Sequence, residues 1–182
     1  STLSEEAERE GMDRVTRAKS AAATGKRNLL LQTKSELIDG VFEGALDYVR
    51  NLDPEKYIDL LIGLLCAAFL EQLDAESVGR TLYGDEDAIE PESYEVLFNQ
   101  RDRDRYGKSV VDGAQKKLAG KVAADKLAQL KLADRATAID GGLVLRFGNV
   151  ESNCSFSLLF AQLREELEGD VGRALFEVKT QN

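Results

Sequence analysis

The stretch that decides the fold is "DGGLVLRFGNVESNCSFSLLFAQLREELEGDVGRALF", Asp140 to Phe176. "LVLRF" (143–147) has the length and apolar content of a buried strand, and Gly141-Gly142 before it mark a turn or bulge. "GN" at 148–149 reads as a hairpin turn into a brief strand over 150–153. The apolar spacing then changes from strand to helix. Phe156, Phe160, Leu163, Leu167, Val171, Ala174 and Leu175 recur at helical intervals, with Ser155 as the predicted cap. Gly169 and Gly172 each weaken such a helix by about 1 kcal/mol relative to alanine, so it is expected to owe its stability to packing on the sheet.

Upstream the pattern is more mixed. A strand is predicted around Leu130–Ala138. Before it, "RDRDRYGKSVVDGAQKKL" (101–118) puts Tyr106, Val110, Ala114 and Leu118 on one side of a helix. Arg101, Arg103 and Arg105 alternate with Asp102 and Asp104, which suits a solvated helix start better than a phosphate site. "YEVLFN" (94–99) reads as a short strand and "GDEDAIEPES" (84–93) as an acidic loop. Asp53 fits an N-cap, Pro54 the first helical position and Glu55 the positive end of the helix dipole, so a helix is predicted over 54–73. Its apolar face is Tyr57, Leu61, Leu64, Leu65, Ala68 and Phe69.

Residues 1–52 contain no proline and read as one long helix, about 75 Å over its first 50 residues. Small or apolar side chains recur at Leu3, Ala7, Gly11, Val15, Ala18, Ala22, Gly25 and Leu29. A second series follows through Leu30, Lys34, Leu37, Val41, Ala45, Tyr48 and Leu52. Both average about 3.7 residues, nearer an eleven-residue repeat than a heptad. Ile38, Phe42 and Val49 widen the later stripe into a core-facing band. The early stripe, mostly alanine and glycine, buries too little to hold a lone helix rigid and calls for a partner helix. The expected fold is α+β. A long helix over 1–50, one half of a coiled coil, precedes a small domain over 51–182 with a short, mainly antiparallel sheet flanked by helices.

Composition narrows the function. The formal net charge is −9, and 12 acidic against 2 basic residues lie in 51–100. Such a surface disfavours nucleic acid and direct membrane binding. The longest apolar run, Leu60–Leu70, is too short to span a bilayer. Histidine is absent, which removes the usual general base and the commonest zinc ligand. Ser155 therefore has no activating partner, and Glu165–Glu166 fall on the exposed side of the last helix. "AAATGKRN" (21–28) lacks the earlier glycine of a phosphate-binding loop and sits mid-helix. Asp85, Glu86, Asp87 and Glu90 lack the ligand order of a calcium loop. Cys66 and Cys154 fit buried thiols in a reducing compartment. No catalytic residue, cofactor or metal is expected.

The closing order of Gly-Gly, apolar strand, turn, short strand and "NCSFSLLFAQLREEL…ALF" resembles the C-terminal signature of the E subunit of the V-type/A-type ATPases. "NCSF" is similar to the bacterial V-type form, where archaeal relatives tend to write Asn-Thr-Phe. The likeness continues upstream through "LLLQTKSELIDGVFEGALDYV" and "LDPEKYIDLLIGLL", covering about residues 27–176 in order. It implies a non-catalytic peripheral-stalk (stator) protein of a rotary proton- or sodium-translocating ATPase, cytoplasmic and peripheral to the membrane.

The implied partners are the G subunit (H or F in some organisms) along the N-terminal helix and the A and B subunits of the catalytic hexamer at the head. Contact with the membrane stator subunit and its collar is indirect. On this basis Leu3, Ala7, Val15, Ala18, Ala22 and Leu29 are expected at the partner-helix interface. Phe156, Phe160, Leu163, Leu167 and Phe176 are expected in the head core. Family members begin with a longer helix, so the opening "STLSEEAERE" implies N-terminal truncation, and the acidic connection over 74–92 is longer than in archaeal relatives. The rival readings are a coiled-coil adaptor of an unrelated complex and a carboxylate-metal enzyme.

Overall fold

The computed structural model describes residues 2–84 and 92–177. The long helix α1 runs unbroken over Thr2–Arg50. After Asn51 and Leu52 comes α2 (Pro54–Tyr83), started as its sequence predicts: the Asp53 carboxylate accepts a hydrogen bond from the Lys56 amide, and Pro54 opens the first turn. α2 outruns the predicted 54–73 by nearly three turns. That extension carries few large apolar residues, and a side-chain bond from Gln72 to Glu76 lies at its start. The predicted acidic loop, with Asp85, Glu86, Asp87 and Glu90, lies almost wholly outside the described residues.

β1 (Tyr94–Leu97) leads into α3 (Gln100–Asp102), a π-helical turn over Arg103–Gly107, and α4 (Lys108–Leu118). α5 (Ala124–Gln129) follows, then β2 (Leu130–Leu132), β3 (Gly142–Phe147), β4 (Val150–Ser155) and α6 (Phe156–Phe176). The sheet order is β2-β1-β3-β4: β1 pairs parallel with β2, and the other two pairings are antiparallel. The parallel pair needs a crossover, which α3 to α5 supply. The predicted α+β class, with its mainly antiparallel sheet flanked by helices, is the observed one.

Two local expectations differ. The strand predicted around Leu130–Ala138 holds ladder pairing only over Leu130–Leu132. Beyond it the Ala133 and Thr137 amides still donate to the Val96 and Phe98 carbonyls, so the chain tracks β1 without forming a regular ladder. Ser155 is not the cap of α6. It ends β4, with its amide bonded to the Asn153 side chain, while Asp140 Oδ1 accepts from the Ser157 amide. Strand and helix thus join without a loop.

Two glycines fix the hairpin. Gly148 (φ 56°) takes the first central position of the two-residue turn, and among the described residues no non-glycine has positive φ, which matches a type II′ turn. At Gly142 (φ 80°) a Cβ would sit 2.2 Å from the Cys154 carbonyl oxygen.

The chain forms two compact units, one of residues 1–44 with 167–182 and the other of residues 45–166. In the larger unit one sheet face presents Tyr94, Val96, Leu130, Leu143 and Leu145 to Tyr57, Leu61, Leu65 and Phe69 of α2 and to Val110 and Ala114 of α4. Leu46, Val49 and Leu52 pack against the same core, so the end of α1 is built into it. The other sheet face holds a small cluster of Leu97, Val144 and Ala133. Beside it Arg146 donates to Glu95, directly opposite across the β1–β3 ladder. In the smaller unit Ile38 is the one buried residue of α1 among the described residues. The Cβ position of Gly172 lies 3.8 Å from its Cδ1, and Lys34 Nζ stands 5.1 Å above the Phe176 ring.

Candidate functional site

The feature that sets this chain apart is the outer surface of α1. Described residues from Thr2 to Thr33 are all exposed. Leu3 is 78% exposed and Leu29 65%, and Val15, Ala7, Ala18 and Ala22 are likewise open. At 3.6 residues per turn these six fall along one side of the helix, so one continuous strip carries every position expected at the partner-helix interface.

From Leu30 onward the apolar strip moves one residue round. Leu30, Leu37, Val41 and Tyr48 are exposed, whereas Ile38 is buried and Phe42, Leu46 and Val49 are half-buried. The later series therefore splits into an inward band and an outward one. Spacing alone shows a broad stripe, and only the packing of Ile38, Leu46 and Val49 tells which half stays open.

The residues expected in the head core divide in the same way. Phe156 is buried edge-on against Tyr57, with ring centroids 5.9 Å apart, and Phe160 is half-buried on the same core. Leu163 and Leu167 are each 40% exposed, so the structure places them on the surface rather than in a core. Among the described residues the buried core of the larger unit takes in Phe156 and Phe160 of α6, and Leu163 is not part of it. Phe176 is half-buried beneath Lys34 in the smaller unit.

Sequence reasoning misses a buried polar cluster. Asp102, read as part of a solvated helix start, has no exposed surface. Its carboxylate accepts from Tyr57 Oη at 2.6 Å and from Arg101 Nε at 2.8 Å, and its amide donates to the capping Asn99 side chain. Burial, and then the bond to Asp102, push the Tyr57 phenol above its ordinary value. Arg103 donates to the carbonyls of Ala133 and Asp134, pinning the segment after β2. No sequence signal marks Asp102, because its main partner is 45 residues away.

This cluster is a closed structural knot in which each group is hydrogen-bonded to another. A second junction joins Arg50, at the end of α1, to Asp140 at 2.6 Å. Burial raises the Asp140 carboxyl, but hydrogen bonds from Arg50 and Ser157 outweigh it and hold the group below the usual carboxylate range.

A cleft of about 250 Å³ lies against the end of α2, between Leu73, Glu76, Arg80 and Lys126. Glu76 accepts from the Tyr94 hydroxyl at 2.8 Å, and Lys126 Nζ stands 5.8 Å above the Tyr94 ring. Both cysteines are free thiols, and burial pushes each above its ordinary value. Among the described residues no three potential metal ligands converge, and no helix is long and apolar enough to cross a membrane. What the described residues do present openly is the apolar strip of α1.

No family model matches the chain. It is 29% identical over 147 residues to the E subunit of the V-type proton ATPase of Thermoanaerobacter pseudethanolicus, covering 81% of this chain and 62% of that protein. It is 30% identical over 150 residues to the E subunit of the V-type ATP synthase of Clostridium botulinum, covering 82% and 64%. The chain is a homologue of the V-type ATPase E subunit. A third relative, the E subunit of the V-type ATP synthase of Acetivibrio thermocellus, is 33% identical over 89 residues, 49% of this chain and 43% of that one. This E-subunit homologue spans less than two thirds of the length of the first two relatives.

Proposed function

We propose that the chain is a non-catalytic peripheral-stalk component of a rotary V-type ATPase. In this reading α1 pairs with the helix of the G subunit, or its counterpart H. The head grips the A and B subunits of the catalytic hexamer, and the pair resists the torque of the turning shaft while touching the membrane stator subunit and collar only indirectly. The protein itself stays peripheral to the membrane.

The observation that carries this reading is the uncovered apolar strip from Leu3 to Leu29 on a 49-residue helix. A free helix with that strip in water gains almost nothing from its apolar side chains, whereas a second helix covers them at about 25 cal/mol per Å². Small residues at Ala7, Ala18 and Ala22 permit close approach of the two backbones. The likeness to E subunits of V-type ATPases supports the choice of complex.

The test is co-expression with the G, A and B subunits, followed by affinity capture on this chain. Capture of G, with a gain in helix signal by circular dichroism on mixing, and capture of A/B through the head are the expected results. Failure of both captures with folded protein sinks the proposal.

A further inference from the structure

We propose that α1 selects its partner by blocks of charge: it pairs with a helix whose charges run basic, acidic, basic beside residues 5–13, 14–34 and 36–47. This rests on the stalk reading above and adds what the partner helix must carry.

The charges of α1 are sorted along its length. Residues 5–13 hold five acids and one base, residues 14–34 hold six bases and no acid, and residues 36–47 hold four acids and no base. A helix built to stand alone in water alternates signs at i,i+4, where opposite charges support it and like charges oppose it. Here Lys19, Lys26, Arg27 and Lys34 have no acidic residue three or four positions away on either side. Among the described residues none of these four forms an ion pair, and Lys34 stands over the Phe176 ring. Further on, Glu36, Asp39, Glu43 and Asp47 follow one another at spacings of three, four and four, stacking like charge along one ridge. Glu36, Glu43 and Asp47 are exposed.

The second and third blocks flank the open strips, while the acids of the first block spread round the helix. The acidic ridge prolongs the line of Leu3, Val15 and Leu29, while the apolar side chains shift to Leu30, Leu37, Val41 and Tyr48 on its flank. A helix that follows the apolar side chains therefore runs first between cations and then beside the acidic ridge. Asp47 already meets Arg50 at 3.7 Å, so charge of the opposite sign on that helix acts chiefly on the basic run and on Glu36 and Glu43, and these residues, which disfavour a lone α1, favour the pair.

A second copy does not satisfy the pattern. In parallel, like block meets like block. In antiparallel register the basic block can face either the third or the first block of the other copy, and the remaining acidic block then has no basic counterpart on α1. A polyanion such as nucleic acid or an acidic bilayer matches only the middle block and is repelled by the other two.

The test uses the full chain and two synthetic helical peptides, each about 45 residues at the 1.5 Å rise that spans α1. They share one composition and apolar spacing, with as many charges in the middle block as in the two outer blocks together, so that both are neutral overall; one is ordered basic–acidic–basic and the other acidic–basic–acidic. Fluorescence anisotropy is read at low and high salt. The complementary peptide is expected to bind about ten-fold tighter than the sign-reversed one near 0.05 M salt, the ratio shrinking several-fold near 1 M, where the screening length falls to about 3 Å. The quadruple change of Lys19, Lys26, Arg27 and Lys34 to Glu is expected to reduce or invert the preference.

Equal binding of both peptides, a preference insensitive to salt, or self-association tighter than either overturns the proposal. Capture of the G subunit with no discrimination between the peptides overturns the charge code and leaves the stalk reading standing. Discrimination without capture of any ATPase component supports the code and removes the stalk reading.

Discussion

Replacing Tyr57 by phenylalanine isolates one bond in the head. The ring keeps its neighbours, with centroids 5.7 Å from Tyr106 and 5.9 Å from Phe156, so no cavity opens. What disappears is the hydroxyl donating to Asp102 at 2.6 Å, in a place where Tyr57 is 3% and Asp102 0% exposed. A hydrogen bond to a charged group contributes about 1.5–3 kcal/mol, and Asp102 keeps its Arg101 partner, so the carboxylate is not orphaned. A destabilisation of about 2 kcal/mol is expected, or a fall in Tm of about 4–8 °C for a chain of this size. The chain has no tryptophan, so the assay is urea unfolding followed by near-ultraviolet circular dichroism of the remaining buried tyrosines, chiefly Tyr94. Far-ultraviolet signal is less useful because the 49 residues of α1 contribute a large share of it whatever the state of the head. A variant within about 0.5 kcal/mol of the parent would show that Asp102 finds its stabilisation elsewhere, and the buried-knot reasoning would be refuted.

The same phenol gives an alkaline signature. Its raised folded-state value means that its contribution is full below the unfolded value of about 10 and is lost above it, so the gap between parent and Tyr57→Phe should narrow in urea titrations beyond about pH 10. Asp140 works with the opposite sign. Its lowered value makes its contribution full above the ordinary carboxylate value of about 3.9 and lost as pH falls below it, so Asp140→Asn should cost about 1 kcal/mol at neutrality and nothing near pH 2. Gly142→Ala should destabilise the head by more than about 2 kcal/mol, since positive φ and a backbone carbonyl in the Cβ position act together, as thermal melting would register. Leu29→Glu should leave the melting of the isolated chain within about 0.5 kcal/mol of the parent, because the side chain touches solvent, yet abolish capture of a partner helix.

The elements with a regular apolar period are legible in the residues alone. The hairpin of β3 and β4, the start of α2 and the continuous α1 all follow from local signals: Gly148-Asn149, Asp53-Pro54 and the absence of proline before it. What escapes depends on distant partners. Asp102 is buried only because Tyr57 reaches it, and the run of alternating charge around it looks solvated in isolation. Ser155 resembles a cap because serine before an apolar helix usually is one, while the true oxygen comes from Asp140, across the hairpin. Leu163 and Leu167 have core spacing without a core above them, since periodicity says which residues share a face and not what covers that face. For the partner strip, spacing draws the line of residues, and the structure adds that Leu3, Val15 and Leu29 stand open to solvent.

The contact of Ile38 with the Gly172 region has a consequence for synthesis. α1 leaves the ribosome well before α6, yet the residues beside Ile38 and Lys34 belong to α6. Since translation proceeds at about 5–20 residues per second, the nascent chain carries Ile38 in the open for many seconds before that last helix follows, and its exposed leucines stay open even then. Under the pairing proposed above, a cell making this protein has reason to keep the second helix at hand, for instance from a neighbouring message, so that assembly begins before release.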